Sequence, residues 1–307
     1  MNITQLNNNL QIALLELLAI PQSYKVLINK LNITWLQLFE IIANINLIQN
    51  NIIDYQDIKH IQLTREINWL ELDIIYESLI KLNLQYNVCL FAALDSTNTT
   101  AIANIHDYQN KTIIITEFQT NGRGRSNKVW TSKIAIDLTF SIIYWLDIAA
   151  NYQAIPLIVA LAINTTMQQF AIHTTIKWPN DVYNNEIGKI GGILVESGIS
   201  NNQRFVVIGV GLDNINLLER NLLLVTLIKH IDNLLTIYYA NGFIQSLKQQ
   251  LLNSCSHYQK TVNIYQNNQL IDSGIHIDID IDGKIIIASN IYNRVMQYTN
   301  LVSLAYT

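Results

Sequence analysis

Glycine and proline are scarce in this chain, eleven and three among 307 residues. Each therefore marks a place where the backbone needs a conformation or a clearance that other residues do not give. One such place is Gly122-Arg123-Gly124-Arg125, which follows the β-rich run Thr112 to Thr116 and precedes Ser126-Asn127-Lys128-Val129-Trp130. Glycines let a backbone approach a ligand closely, so that successive N–H groups face an anion, and two guanidinium groups add paired donors for phosphate or carboxylate. A solvated basic turn would carry the same four residues, so the loop gains meaning from its company.

That company is specific. Lys177-Trp178-Pro179-Asn180-Asp181 closes a predicted strand and sets a cation and a carboxylate on one short turn stiffened by proline. A lysine there can hold two anionic reactants together, and an aspartate can meet Mg²⁺ carried on nucleotide phosphates; a strand-ending turn with a surface ion pair is the plainer alternative. Lys189-Ile190-Gly191-Gly192-Ile193-Leu194-Val195-Glu196 then reads as a strand whose paired glycines leave room for a ligand, or mark a bulge. Ser96-Thr97-Asn98 opens a predicted helix, as ligand-binding groups or as a simple N-cap. Gly209-Val210-Gly211 has half of a dinucleotide fingerprint, but no third glycine and no helix of the right sort follow, so a Rossmann reading is rejected and a strand lining a pocket is expected.

Periodicity divides the rest. Apolar positions at helical spacing run from residue 3 to 20 and stop at Pro21; a short helix spans Tyr24 to Leu31; Thr34 is placed to cap a third helix through Ile45. Alternation from Ile52 to Leu63 suits a small hairpin, which together gives a winged helix-turn-helix outline. From Val88 onward strands alternate with helices: Val88 to Leu94, a helix near Asn98 to His106, Thr112 to Thr116, Asp137 to Leu146, and a helix opened by Pro156 and running to Phe170. Next come Thr174 to Lys177, a hairpin from Val182 to Ser197, Arg204 to Val210, and helices Leu222 to Tyr239 and Phe243 to Tyr258. Thr261 to Ile264, Gln269 to Ile279, Gly283 to Ala288 and Val295 to Leu304 read as strands of a small barrel. The expected class is α+β with a mixed or antiparallel sheet, in three units at 1–65, 66–258 and 259–307.

Composition excludes several classes. Half the residues are hydrophobic and 14% charged, yet the longest apolar runs, such as Ile155 to Ile163, fall short of the roughly 20 residues of a membrane span. No basic stretch precedes Leu10 to Ala19, so a secretory leader is not expected and the reading is cytoplasmic. Cys89 and Cys255 have neither disulfide nor zinc spacing and are read as core thiols. A net charge of −4 leaves no general basic excess for nucleic acid.

Taken in order, Ser96-Thr97-Asn98, Glu117-Phe118-Gln119 leading into Gly122-Arg123-Gly124-Arg125, Lys177-Trp178-Pro179-Asn180-Asp181 and Lys189 to Glu196 resemble the biotin protein ligase family, in particular its bifunctional ligase and biotin operon repressor type. The resemblance is close over about 89–216, and Gly274, Asp280 and Gly283 fit the family's C-terminal unit. It implies a biotin/lipoate ligase type of catalytic sheet between a winged helix-turn-helix-like domain and a small SH3-like barrel. It also implies an ATP-dependent reaction: biotin is activated as biotinyl-5'-adenylate and passed to a lysine of the biotin carboxyl carrier protein of acetyl-CoA carboxylase, with Mg²⁺ as the metal and a homodimer as the assembly.

Position by position, the resemblance puts Ser96, Thr97, Asn98, Gln119, Arg123 and Lys189 around biotin, with Gly122, Gly124 and Gly192 in the binding segments. Arg125, Lys177 and Asp181 become the catalytic set, Asp181 also facing Mg²⁺, and Trp130 sits near the adenine. Where the family has Gly-x-Gly-x-Asn-x-Asn, this chain has Gly209 to Asn216 with Asp213 and Asn214, so either Asp213 replaces the adenine-facing asparagine or one residue is inserted and Asn214 takes that place. The candidate recognition helix, Thr34 to Ala43, has no Lys or Arg, and residues 1–60 carry three lysines against four carboxylates, so weak or no operator binding is expected. A lipoate ligase and a ligand-sensing repressor without catalysis stand as alternatives.

Overall fold

The structure, a computed structural model, describes residues 3–48, 51–213, 215, 218–299 and 302–306. It begins with three helices, α1 (Ile3–Leu17), α2 (Tyr24–Leu31) and α3 (Trp35–Ile48), followed by a two-stranded antiparallel hairpin of β1 (Ile53–Asp54) and β2 (Gln62–Leu63). α2 ends at Asn32 in the left-handed conformation. α3 opens with a reciprocal box: Thr34 N–H donates to Gln37 Oε1 at 2.8 Å, and Gln37 N–H donates to Thr34 Oγ1 at 3.3 Å. Leu14, Leu15, Leu27, Leu38, Ile42 and Ile61 close a core that also takes in Ile134 and Ala135 from farther along the chain. The N-terminal unit is thus seated on the next one by apolar contact.

The central unit comprises α4 (Leu72–Lys81), β3 (Asn87–Phe91), α5 (Thr97–Ala103), β4 (Thr112–Thr116), β5 (Gly122–Arg123), β6 (Val129–Trp130), β7 (Leu138–Leu146), α6 (Ile155–Gln169), β8 (Thr175–Lys177), β9 (Asp181–Asn184), β10 (Gly188–Ser200), β11 (Gln203–Leu212), α7 (Arg220–Asn241) and α8 (Gln245–Ser254). Seven strands form one mixed sheet in the order β3-β4-β7-β11-β10-β9-β8, with β3 and β4 parallel and the other neighbours antiparallel. Both faces are covered, as the residues of β4 record: Ile113 and Ile115 enter the large core with α6 and α7, whereas Ile114 enters a small cluster beneath α5. The helix α5 covers the face opposite α6 and α7, with its N-terminus over the middle of the sheet.

The chain finishes in β12 (Thr261–Gln266), β13 (Gln269–Ile279), β14 (Ile285–Ser289), β15 (Val295–Tyr298) and β16 (Ser303–Tyr306), an antiparallel sheet in the order β15-β14-β13-β12-β16. Val262, Ile264, Ile279 and Ile287 belong to the same core as α6 and α7. The α+β class holds. Four details differ from the sequence expectation. α4 is an added helix. Val295 to Leu304 is two strands, at opposite edges of the sheet. α8 stops at Ser254 because Ser256 N–H bonds to Ile176 O at 3.0 Å, a tertiary strand contact replacing the helical one. α7 is long and apolar enough to cross a membrane, although 56% of its apolar window is buried inside the protein.

Candidate functional site

The middle of the sheet carries a polar cluster that α5 lowers onto it. Ser96 caps the helix, accepting from Thr99 N–H at 3.5 Å, as the N-cap reading of this residue expects. Thr97 N–H donates to Gln119 Oε1 at 2.7 Å, and Ser141 Oγ of β7 lies 2.7 Å from Thr97 Oγ1 and 2.6 Å from Asn98 Oδ1. Asn98 Nδ2 donates onward to Glu196 Oε2 at 2.9 Å, and the same carboxylate oxygen receives Arg123 at 2.6 Å. Ser96, Thr97, Asn98 and Gln119 are all buried, so these amides and hydroxyls form a fixed network in low dielectric. Ser141 had no sequence signal; it joins because register sets it opposite Gly209, where a side chain would overlap Asn98 Oδ1.

The arginine-glycine segment is an ordered hairpin rather than a solvated turn. Gly122 pairs with Trp130 and Arg123 with Val129, while Gly124 N–H donates to Lys128 O at 2.7 Å. A β-carbon on Gly122 would run into the Trp130 carbonyl. Gly122 thus serves the tightness of the hairpin and does not itself line the cavity. Arg125 folds inward, donating to Asn180 Oδ1 at 2.7 Å, and feels the charge of Asp181.

Lys177 and Asp181 face each other across β8 and β9, with the turn between them passing through a cis Trp178–Pro179 bond. Lys177 lies over the Tyr183 ring, its Nζ 5.5 Å from the centroid. Asn180, to which the motif reading gave no role, anchors the turn to β10 by donating to Ile193 O at 2.9 Å. Asp181 pairs with Lys189 at 2.7 Å, and Lys189 Nζ lies 5.7 Å from the Trp130 centroid. Gly192 and Gly211 are cross-strand partners whose missing side chains make a flat floor under the Trp130 indole. Trp130 Nε1 and Asp213 Oδ1 are buried without a hydrogen-bond partner among the described residues. Burial raises the Asp213 carboxyl above its usual value, opposed by Lys133 and Lys189.

These elements enclose a cavity of about 550 Å³, a size suited to a nucleotide or cofactor-sized ligand. It brings together Ser96, Thr97, Asn98 and Gln119 from the polar cluster, Arg123, Gly124, Arg125 and Trp130 from the hairpin, and Lys177, Asp181, Lys189 and Gly192 from the neighbouring strands. Asn214 lies outside the described residues. Arg123, Arg125, Lys128, Lys177 and Lys189 face Asp181 as the one lining carboxylate among the described residues, a cationic site in a chain of net charge −4. Tyr265, Asn267 and Asn268, at the β12–β13 turn, complete the rim from the C-terminal unit; an Asn-Asn turn is legible in sequence, its arrival at the cavity is not. No cluster of three His, Cys, Asp or Glu side chains suited to a metal occurs among the described residues. A divalent ion at Asp181 would therefore need ligand oxygens to complete its shell.

Comparison with known proteins agrees with this arrangement. Residues 90–213 match the Biotin/lipoate A/B protein ligase family. The chain is 36% identical over 128 residues to the bifunctional ligase/repressor BirA of Bacillus subtilis, covering 40% of this chain and 38% of that protein. It is 32% identical over 111 residues to human biotin--protein ligase, covering 34% and 15%. These matches span well under two thirds of the relatives' lengths. Among solved structures, the biotin protein ligase from Aquifex aeolicus in complex with biotin and ATP superposes with a TM-score of 0.61 at 20% identity, covering 72% of this chain and 99% of that one, a likeness of fold. Residues 90–213 thus match the Biotin/lipoate A/B protein ligase family, and the proteins that this chain resembles in sequence and in fold are biotin protein ligases.

Proposed function

We propose that this protein is an ATP-dependent biotin protein ligase. The observation that carries the reading is the cationic cavity, in which Arg125, Lys177 and Lys189 converge beside a buried amide and hydroxyl network. Joining a carboxylate to a nucleotide brings two anions together, and fixed cations are what lowers that barrier. Ser96, Thr97, Asn98 and Gln119 would hold the ureido head of biotin, whose own N–H and C=O groups match amide and hydroxyl partners. Arg123 and Lys189 would turn the biotin carboxylate toward the nucleotide.

In the first step a biotin carboxylate oxygen attacks the α-phosphorus of ATP, the bond to the bridging oxygen breaks, and pyrophosphate leaves. Lys177 and Arg125 stabilise the charge that gathers on the α-phosphate oxygens. Asp181 would face Mg²⁺ carried on the nucleotide phosphates, an ion that would neutralise charge on the leaving pyrophosphate. Trp130, on its glycine floor, would lie against the adenine, and Asp213 or Asn214 would face its edge. In the second step the neutral ε-amine of an acceptor lysine attacks the acyl carbon, the acyl–oxygen bond breaks and AMP departs. The acceptor we propose is the biotin carboxyl carrier protein of acetyl-CoA carboxylase, in the cytoplasm, with the ligase as a homodimer.

We further read the chain as three units, at 1–65, 66–258 and 259–307, the first of winged helix-turn-helix type and the last a small SH3-like barrel. The exposed side of α3 presents Trp35, Leu36 and Glu40 without a basic residue, so operator affinity should not exceed the weak, salt-sensitive level of non-specific binding. Fluorescence anisotropy with operator DNA checks this.

The deciding experiment supplies purified protein with biotin, MgATP and an acceptor domain and follows acceptor mass. A gain equal to biotin supports the reading. Transfer of lipoate instead would assign the other branch of the family, and no transfer with either would leave a ligand-sensing protein.

A further inference from the structure

Behind the Lys177–Asp181 turn, on the side away from the cavity, two fully buried histidines are linked end to end. His257 follows α8, and its Nε2 accepts the Trp178 backbone N–H at 3.0 Å. Its Nδ1 lies 2.9 Å from Nδ1 of His276 on β13, and His276 Nε2 is 3.1 Å from the Asp278 carbonyl oxygen. One arrangement of protons satisfies all three bonds. An amide N–H can only donate, so His257 Nε2 is bare and the proton sits on Nδ1. That proton is donated to a bare His276 Nδ1, whose other nitrogen then donates to the carbonyl. Both rings are neutral in this chain. The Trp178 indole makes a parallel tie, Nε1–H donating to Gly283 O at 2.9 Å.

We propose that His257, held in its tautomer by His276, is a positioning residue for the adenylation turn, so that the C-terminal unit sets where Lys177 and Asp181 stand. The proposal rests on the ligase reading above. Trp178 directly follows Lys177 and is essentially buried, so a shift in its backbone is passed to Lys177 and through the turn to Asp181. The site lies in a charged surrounding: Lys177 from β8, Lys260 and Tyr258 from the segment of His257 itself, and Asp278 from β13, the last engaged by Lys248 of α8 at 2.6 Å. Burial and the two lysines push the His257 ring toward its neutral form, and burial does the same to His276 against the pull of Asp278. The chain therefore keeps its single hydrogen-bond direction at neutral pH.

The test compares His257→Phe, which keeps the bulk and removes the acceptor, with His257→Gln, which puts an amide oxygen near the former Nε2. Pyrophosphate release is followed for kcat and KM, and amide hydrogen exchange is followed at Trp178. The expected result for His257→Phe is a loss in kcat of about 10- to 100-fold, the scale for displaced reacting groups. Its KM for biotin should be nearly unchanged, since the biotin-facing residues are not on this turn, and its Trp178 amide should exchange faster. His257→Gln should recover most of both losses. If His257→Phe does not fold, His276→Leu leaves the acceptor but frees its tautomer, and an intermediate loss is expected. Unchanged kcat and unchanged exchange in a folded variant would overturn the inference, as would equal losses in the Phe and Gln variants. A wild-type protein that turns over no biotin would instead overturn the reading on which the inference rests, while Trp178 exchange still reports whether His257 holds the turn.

Discussion

Gly211 lies directly beneath the indole of Trp130, so close that a single methyl group there would overlap the ring. The overlap falls on a side chain of the β5–β6 hairpin rather than on the sheet, so the ring should move and the strand should not. Gly211→Ala is expected to fold with at most about 1 kcal/mol of lost stability, to shift tryptophan fluorescence, and to weaken nucleotide binding by about tenfold, the equivalent of one displaced contact. Calorimetric titration with ATP after biotin saturation checks the affinity. Normal affinity would remove Trp130 from the nucleotide site.

Arg125 and Lys177 both approach the turn that bears Asp181, one through Asn180 and one across the strands. Replacing either by alanine should lower adenylate formation by about 10²–10³, as when a single charge-stabilising donor is lost. Biotin binding alone should survive, because the polar cluster of Thr97, Asn98 and Gln119 is untouched. Equilibrium dialysis with biotin beside stopped-time pyrophosphate assays separates the two effects.

Arg220 and Glu117 form an ion pair at 2.6 Å with both side chains buried, and Arg220 also donates to the Asn68 and Asp137 carbonyls while Glu117 accepts from Leu70 N–H. Burial raises the Glu117 carboxyl even against Arg220, which marks how much this pair depends on its partners. Removing the cation alone, as in Arg220→Met, strands a buried carboxylate and should cost about 3–5 kcal/mol. Arg220→Met combined with Glu117→Gln should cost less than the single change. Urea midpoints of the wild type, Arg220→Met, Glu117→Gln and the double variant give the coupling.

Protonation bears on the buried histidines in one direction. Unfolded, both rings titrate near the ordinary 6.5; folded, His257 is pulled down to about 3 and His276 to about 4. Below pH 6.5 the unfolded chain binds protons that the folded chain refuses, so stability is whole above that value and falls as the pH drops toward 4 and then 3. Melting temperature should decline more steeply across this window in the wild type than in a protein carrying His257→Gln and His276→Gln. Parallel slopes would mean that the rings are charged or exposed in the folded protein.

Much of the candidate site was legible because adjacency along the chain did the grouping: Gly122 to Arg125, Lys177 to Asp181 and Lys189 to Gly192 each bring their own neighbours, the last two on adjoining strands at one sheet edge. Features that depend on register or on distant packing were not. Ser141 is one serine in a buried strand until pairing places it opposite Gly209. The α4 helix escapes pattern reading because Ile75 and Leu79 are buried while Leu72, Tyr76 and Ile80 stay exposed, so apolar residues surround the helix and hide its inward stripe. Conversely, the Thr34 and Gln37 box is purely local, and the helix it starts was placed correctly. His257 and His276 lie 19 residues apart on different elements, a pairing that spacing alone does not suggest.

The Tyr265, Asn267 and Asn268 turn stands on the rim of the cavity, although it belongs to the last strands of the chain. Because Val262, Ile264, Ile279 and Ile287 pack into the same core as α6 and α7, the wall opens without loss of the fold only by substitution at the turn itself. On the proposed ligase reading, glycine in place of Asn267 and Asn268 should let water reach a mixed anhydride before a lysine does, and relatives with exchanged tail regions should be screened for adenylate leakage as well as for loss of folding.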